Sequence, residues 1–181
     1  LKGLKVRAPT RIGTKFLAAI GATPVQMPVP AVTESLSKGV IDGAMLPWEV
    51  APAVKLHEVT KYHLDTAPGV PKTSNSIFVI AMNPAKYDSL PPDLKAIIDA
   101  NSGIELSKHI GKVFDGTTEA GKKLARDAGG VFDTLSPAEY DRWVKATEPV
   151  AKEWIGEVGA KGANGQALLD DAKALIRKYG G

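Results

Sequence analysis

The first 48 residues switch between two hydrophobic periods. Lys5-Val6-Arg7-Ala8 is a short extended run, stopped by Pro9, which cannot donate to a sheet ladder. Across residues 14–20, the apolar Phe16, Leu17 and Ile20 fall at the three-and-four spacing of a helix. Gly21 is placed to end that helix, since glycine is favoured after a last turn. Residues 23–27 predict a second strand. Residues 30–38 predict a second helix, with Val32 and Leu36 four apart and Gly39 as its stop. Residues 40–46 predict a third strand leading to Pro47-Trp48. Strands alternating with helices of this length predict an α/β fold with a parallel sheet and right-handed crossovers. Ligands of such sheets bind beyond the carboxyl ends of the strands, where Arg7 and Trp48 fall.

Further along, residues 49–59 predict a helix with Val50 and Val54 inward and Lys55, His57 and Glu58 outward. Residues 60–64 are β-prone, and residues 65–74 are rich in turn formers. Ser76-Ile77-Phe78-Val79-Ile80-Ala81-Met82 is the most hydrophobic run, and it suits a strand buried on both faces. Residues 84–87 predict one helical turn. Pro91-Pro92 then opens a long helix carrying Leu94, Ile97, Ile98, Ile110, Val113, Phe114, Leu124 and Ala128 as a stripe. Gly103, Gly111, Gly116 and Gly121 interrupt it, each costing about 1 kcal/mol relative to alanine. They predict close helix packing or a break near Gly116; a flexing bend is the alternative. Gly129-Gly130 closes the helix, and residues 131–135 form a short strand. Ser136-Pro137-Ala138-Glu139 has capping-box form and starts a helix that Pro149 should kink. Residues 166–179 predict an amphipathic terminal helix.

Composition narrows the function classes. At 181 residues the chain can bury one substantial core or two small ones. Its net charge is +3, and the 23 basic residues are spread rather than clustered, which gives no nucleic-acid footprint. No apolar run is long enough for a membrane span. There is no cysteine, so disulfides, thiolate zinc sites and cysteine nucleophiles are excluded. His57 and His63 are six apart rather than the four of a helical metal pair, and His109 is isolated. No acidic cluster has calcium-loop spacing and no glycine-rich phosphate loop occurs, so neither a metal nor a cofactor is expected.

LKGLKVRAPT, then GATPVQMPVPAV, then LSKGVIDGAMLPWEV resembles the solute-binding proteins of TRAP transporters, the DctP type. The resemblance covers essentially the whole chain in order. It implies a periplasmic-binding-protein-like (type II) lobe, with a parallel-rich sheet flanked by helices, a long helix and C-terminal helices. It also implies a non-catalytic periplasmic protein, monomeric when complete, that closes on a small organic acid and delivers it to a membrane permease. By the same comparison, residues 1–72 are the second ligand-binding lobe. Residues 73–114 are a hinge strand and long helix of the first lobe, and residues 115–181 return to the second. No signal peptide is visible, and the sequence starts where the family's second lobe starts. The expectation is that the N-terminal part of the first lobe, with its signal peptide, is not among these residues.

The family's first-motif arginine, which holds the ligand carboxylate, is Arg7 here. A guanidinium meets a carboxylate with two parallel hydrogen bonds, fixing direction as well as charge. Several relatives carry asparagine a few residues after the Asp-Gly pair; here that position is Leu46, which argues for a more apolar or aromatic acid. Trp48 can supply a flat wall with a polar edge or pack in the core. Val29, in the loop after the second strand, is either a pocket residue or an ordinary loop valine. Arg11 could take a second carboxylate or pair with a nearby acid. Glu49 reads as a first-turn acid and Asp42 as a structural turn residue. Two other readings remain open at this stage. One is the effector-binding domain of a transcription regulator with a similar two-lobed plan; the other is an α/β enzyme, for which no convergent acid–base pair is found.

Overall fold

The computed structural model describes residues 1–75 and 77–179. Strands β1 (Lys5–Ala8), β2 (Thr23–Gln26) and β3 (Gly43–Ala44) form a parallel sheet in the order β2-β1-β3. Helix α1 (Arg11–Ala19) connects β1 to β2, and a 3-10 turn (Val29–Ala31) with α2 (Val32–Ser37) connects β2 to β3. A second parallel pair is made by β4 (Tyr62–Thr66) and β5 (Val131–Leu135). Between these two lie α3 (Pro84–Asp88), α4 (Pro92–Ala100) and α5 (Gly103–Asp127); α6 (Pro137–Gly159) and α7 (Gly165–Tyr179) follow β5. The parallel α/β architecture is as the pattern predicts.

Alternation along β1 divides the core in two. Val6 and Ala8 pack with Leu17 and Ala22 beneath α1. Arg7 is in register with Val25 and Ala44, so it lies on the opposite face, with the cluster of Val32, Ile41, Ala51 and Leu56. Thr10 caps α1 by accepting from the Gly13 N–H, and Gly21 and Gly39 follow their helices in the left-handed region. Asp42 is structural: its carboxylate accepts the Lys5 N–H, closing β1 against the end of the second crossover.

Four expectations need correction. Residues 49–59 are not an α-helix but successive turns ending in a 3-10 turn (Leu56–Glu58). Pro52 explains this: it has no N–H to offer the Trp48 carbonyl, which instead accepts from Ala51. Lys55, at φ 52°, then turns the chain left-handed. The third strand shrinks from residues 40–46 to two residues, because Val40 and Ile41 bond back to Ser35 instead of forming a ladder.

The long helix breaks at Gly103, φ 75°, and not near Gly116. Gly121 is a close-packing site, since a Cβ there would collide with the Trp48 carbonyl oxygen, whereas Gly116 faces open space. Finally, the hydrophobic run after the loop is not a strand in this chain. Ser76 lies outside the described residues, and Ile77, Val79 and Ile80 are 88%, 81% and 75% exposed. A strand needs a ladder partner, and none of the described strands pairs with this run.

The C-terminal helices are tied to the first sheet by charge. Arg11 and Lys15 of α1 both bond the Glu157 carboxylate of α6, at 2.6 and 2.8 Å, and Lys15 also reaches Glu153 at 2.7 Å. Arg11 is thus committed to an acid of its own chain. Phe16 meets Trp143 edge-on, with centroids 6.2 Å apart. Ser136 caps α6 by accepting from the Glu139 N–H. The reciprocal half of the box is missing, because the Glu139 carboxylate accepts from Trp143 Nε1 and from Arg142.

Two predictions follow from these contacts. Gly121→Ala should destabilise the fold by about 1–3 kcal/mol through overpacking, whereas Gly116→Ala should stabilise it by up to about 1 kcal/mol through helix propensity. Chemical denaturation of both variants checks this. The Glu157 carboxyl is held down to about 2, from 4.5, by hydrogen bonds from Arg11 and then Lys15. Its contribution is therefore complete above pH 4.5 and lost as pH falls toward 2. Glu157→Gln should lower the melting temperature at pH 7, and the gap to the parent should close as pH falls through that window and shrink in high salt.

Candidate functional site

The carboxyl edge of the first sheet carries the charge that needs explaining. The Arg7 side chain is on a strand end, and the residue is 3% exposed. Its Nε donates to the Met27 carbonyl at 3.1 Å, and its Nη1 donates to the Met45 carbonyl at 2.9 Å. These two carbonyls belong to the segments that leave β2 and β3, so the guanidinium joins the ends of all three strands. Burial pushes its pKa down, yet an arginine stays cationic at any physiological pH. Among the described residues no carboxylate pairs with it. Its Nη2 finds no partner among them and is not a sealed atom. A buried charge faced only by neutral carbonyls is costly unless an anion completes it.

Beyond this edge opens a cavity of about 500 Å³. One side is the chain leaving β3: Met45, Leu46, Pro47, Trp48 and Glu49, with Pro9 from the end of β1. The other side brings Phe78, then Gly111, Phe114 and Thr118 of α5, and Trp143 of α6. A polar patch is added by Asp65, Thr66, Lys72 and Lys122. Glu49, read as a first-turn acid, instead lines this space, because no α-helix starts there.

Trp48 is held from behind. Its ring stacks on Phe132 of β5 at 5.4 Å and 20°, and lies 5.2 Å from His63 of β4. The Arg126 guanidinium caps the far side of Phe132 at 5.0 Å from its centroid. The stack packs the two sheets against each other and fixes the wall that Trp48 presents. Among the described residues His63 Nε2 is buried without a partner, and burial pushes its pKa down, so the ring is neutral at pH 7. A Cβ on Gly130 would collide with that nitrogen and with the Ala125 carbonyl, so glycine is required there.

Of the four residues singled out from sequence, Leu46 and Trp48 line the cavity. Arg7 is not itself a lining residue, but its Nη1 holds the carbonyl of the lining residue Met45. Val29 is half-buried in its 3-10 turn and is not a lining residue. Sequence reasoning missed Phe78, Phe114, Trp143, Asp65 and Lys122. These come from strand β4, the loop after it and helices far along the chain, and only the Phe114 position on the long helical stripe gave any signal. Among the described residues, no group of three histidine or acidic side chains could hold a metal ion.

Known proteins resemble this chain in sequence and in fold. DctP of Vibrio cholerae, a C4-dicarboxylate-binding periplasmic protein, is 30% identical over 164 residues, covering 88% of this chain and 46% of that protein. YiaO of Escherichia coli, a 2,3-diketo-L-gulonate-binding periplasmic protein, is 29% identical over 157 residues, with coverage of 80% and 46%. Among solved structures, a marine metagenome TRAP solute-binding protein specific for aromatic acid ligands, in complex with metahydroxyphenylacetate, is 45% identical. Its TM-score is 0.91, over 99% of this chain and 56% of that one. A TRAP solute-binding protein from Rhodoferax ferrireducens, in complex with copurified benzoate, is 43% identical with a TM-score of 0.91, over 98% of this chain and 55% of that one. The chain thus spans about half the length of these relatives. Residues 1–157 match the DctP family, the bacterial extracellular solute-binding proteins of family 7, and the chain belongs to that family.

Proposed function

We propose that this chain supplies one wall of the ligand cleft of a periplasmic TRAP solute-binding protein, and that its cargo is a small aromatic or apolar carboxylic acid. The observation that carries this reading is the buried Arg7 guanidinium with no acid of its own among the described residues. Its two spent donors orient the plane, and Nη2 is left for the ligand carboxylate. The body of the acid then lies among Leu46, Trp48, Phe78 and Phe114, a lining suited to a ring. The two TRAP proteins at 45% and 43% identity, with an aromatic acid and benzoate bound, support the same ligand class.

Residues 1–72 act as the second lobe in this reading, residues 73–114 carry the hinge strand, and residues 115–181 return to the second lobe. The exposed run after Asn75 is the surface that the remainder of the protein covers. Closure of the lobes shuts water out, strengthening the Arg7 contact, and the closed form is what the membrane permease receives. The protein works without catalysis and as a monomer. Val29 contributes indirectly, by shaping the loop whose Met27 carbonyl holds Arg7.

Arg7→Lys keeps the charge and loses the fork. Each hydrogen bond to a charged group contributes about 1.5–3 kcal/mol, so at least a tenfold weaker dissociation constant for benzoate is expected. Titration calorimetry on the complete protein measures it, with the melting temperature as a check on folding. An unchanged constant in a folded variant would remove Arg7 from the site.

A further inference from the structure

The cavity has a second charged place, formed where β4 ends against α5. Asp65 Oδ1 accepts the Thr66 N–H at 2.8 Å and Lys72 Nζ at 2.8 Å. Asp65 Oδ2 accepts Lys122 Nζ at 2.9 Å. The Lys122 side chain is 16% exposed and that of Asp65 is 22%. Burial raises the Asp65 pKa, but the bonds from Lys72, Lys122 and the Thr66 N–H outweigh it, so the carboxylate stays ionised. Such a half-buried pair is a weak device for stability alone. Its other feature is unfilled capacity. A carboxylate oxygen can accept two hydrogen bonds, and among the described residues Oδ2 receives one. Lys122 has three N–H donors; one is on Asp65, and its only other acid neighbour among the described residues, Glu119, stands at 3.7 Å. A vacant acceptor and a vacant donor therefore sit side by side on the wall of a cavity otherwise rich in aromatic rings.

We propose that Asp65 and Lys122 form a second recognition point, reading a hydroxyl group on the ring of the bound acid. The hydroxyl donates its proton to Asp65 Oδ2 and accepts from Lys122 Nζ. Of the common ring substituents, a hydroxyl satisfies both vacancies at once; a methyl or a halogen fills neither. A second carboxylate could take the lysine but would face Asp65 at close range, so the pair selects against dicarboxylates. Lys72 and Thr66 position Asp65 and do not touch the ligand. This inference rests on the aromatic-acid reading above, with Arg7 gripping the carboxylate at the other end.

Calorimetry on the complete protein with benzoate and with 2-, 3- and 4-hydroxybenzoate tests it. The parent is expected to bind one isomer about tenfold more tightly than benzoate, as one additional charge-assisted contact would give. Lys122→Met should abolish that preference, so that the constants for the favoured hydroxybenzoate and for benzoate converge, a loss of discrimination that a purely structural role would not produce. If that variant does not fold, the double variant Asp65→Asn with Lys122→Met removes both charges together and is read the same way. Equal parent affinity for benzoate and all three isomers would overturn the hydroxyl contact and leave the aromatic-acid reading standing. So would equal losses for both ligand types in a folded variant. Failure of the parent to bind any of the four acids would overturn both.

Discussion

A positive charge enclosed at the end of a parallel sheet constrains everything around it. Arg7 is placed there by β1, and its own side chain takes over where the ladder stops. The carbonyls of Met27 and Met45, just past the ends of β2 and β3, have no strand partner at those positions and accept from the guanidinium instead. The sheet is thereby finished by a side chain, which explains how a third strand of only two residues can still deliver a fixed wall. The same bonds leave the charge incompletely solvated. In the reading proposed above, the group that closes the scaffold is also the one that meets the ligand's anion.

The wall beyond that charge is rigid for a separate reason. Trp48 begins a segment that Pro52 prevents from becoming a helix, so its position rests on outside contacts. Phe132 and His63 supply them from the second strand pair, and α5 presses Gly121 against the Trp48 carbonyl. The aromatic stack joins two sheets that share no hydrogen-bonded ladder. The ion cluster of Arg11, Lys15 and Glu157 performs a similar task at the periphery, docking α6 on α1 and bringing Trp143 to Phe16 and to the cavity.

Local sequence gave a good account of what local physics decides. The body of helix α1, the glycine stops at Gly21 and Gly39, strand β5 and the Ser136 cap were all readable from spacing and capping chemistry, whereas the Thr10 cap, which starts α1 earlier than residue 14, was not read. The parallel arrangement followed from the alternation of elements. What could not be read depends on partners distant in the chain. The run from Ile77 to Met82 has the composition of a buried strand, but composition cannot supply a ladder, and none exists for it among the described residues. Gly103 and Gly116 look equivalent in sequence, and only the left-handed backbone at Gly103 separates a break from a continuous helix. Arg7 stood out in the sequence as a candidate ligand contact, but its double grip on two carbonyls could not be read, because those carbonyls come from residues 27 and 45. Asp65 and Lys122 are 57 positions apart, and nothing in their neighbourhoods signals that they meet.

A crystal structure of the complete protein grown with benzoate would test the central claim most directly. The account predicts the carboxylate about 2.7–2.9 Å from Arg7 Nη2, with the Nε and Nη1 bonds to the Met27 and Met45 carbonyls retained and the ring against Trp48. A benzoate carboxylate seated elsewhere, with Arg7 still touching only its two carbonyls, would contradict it.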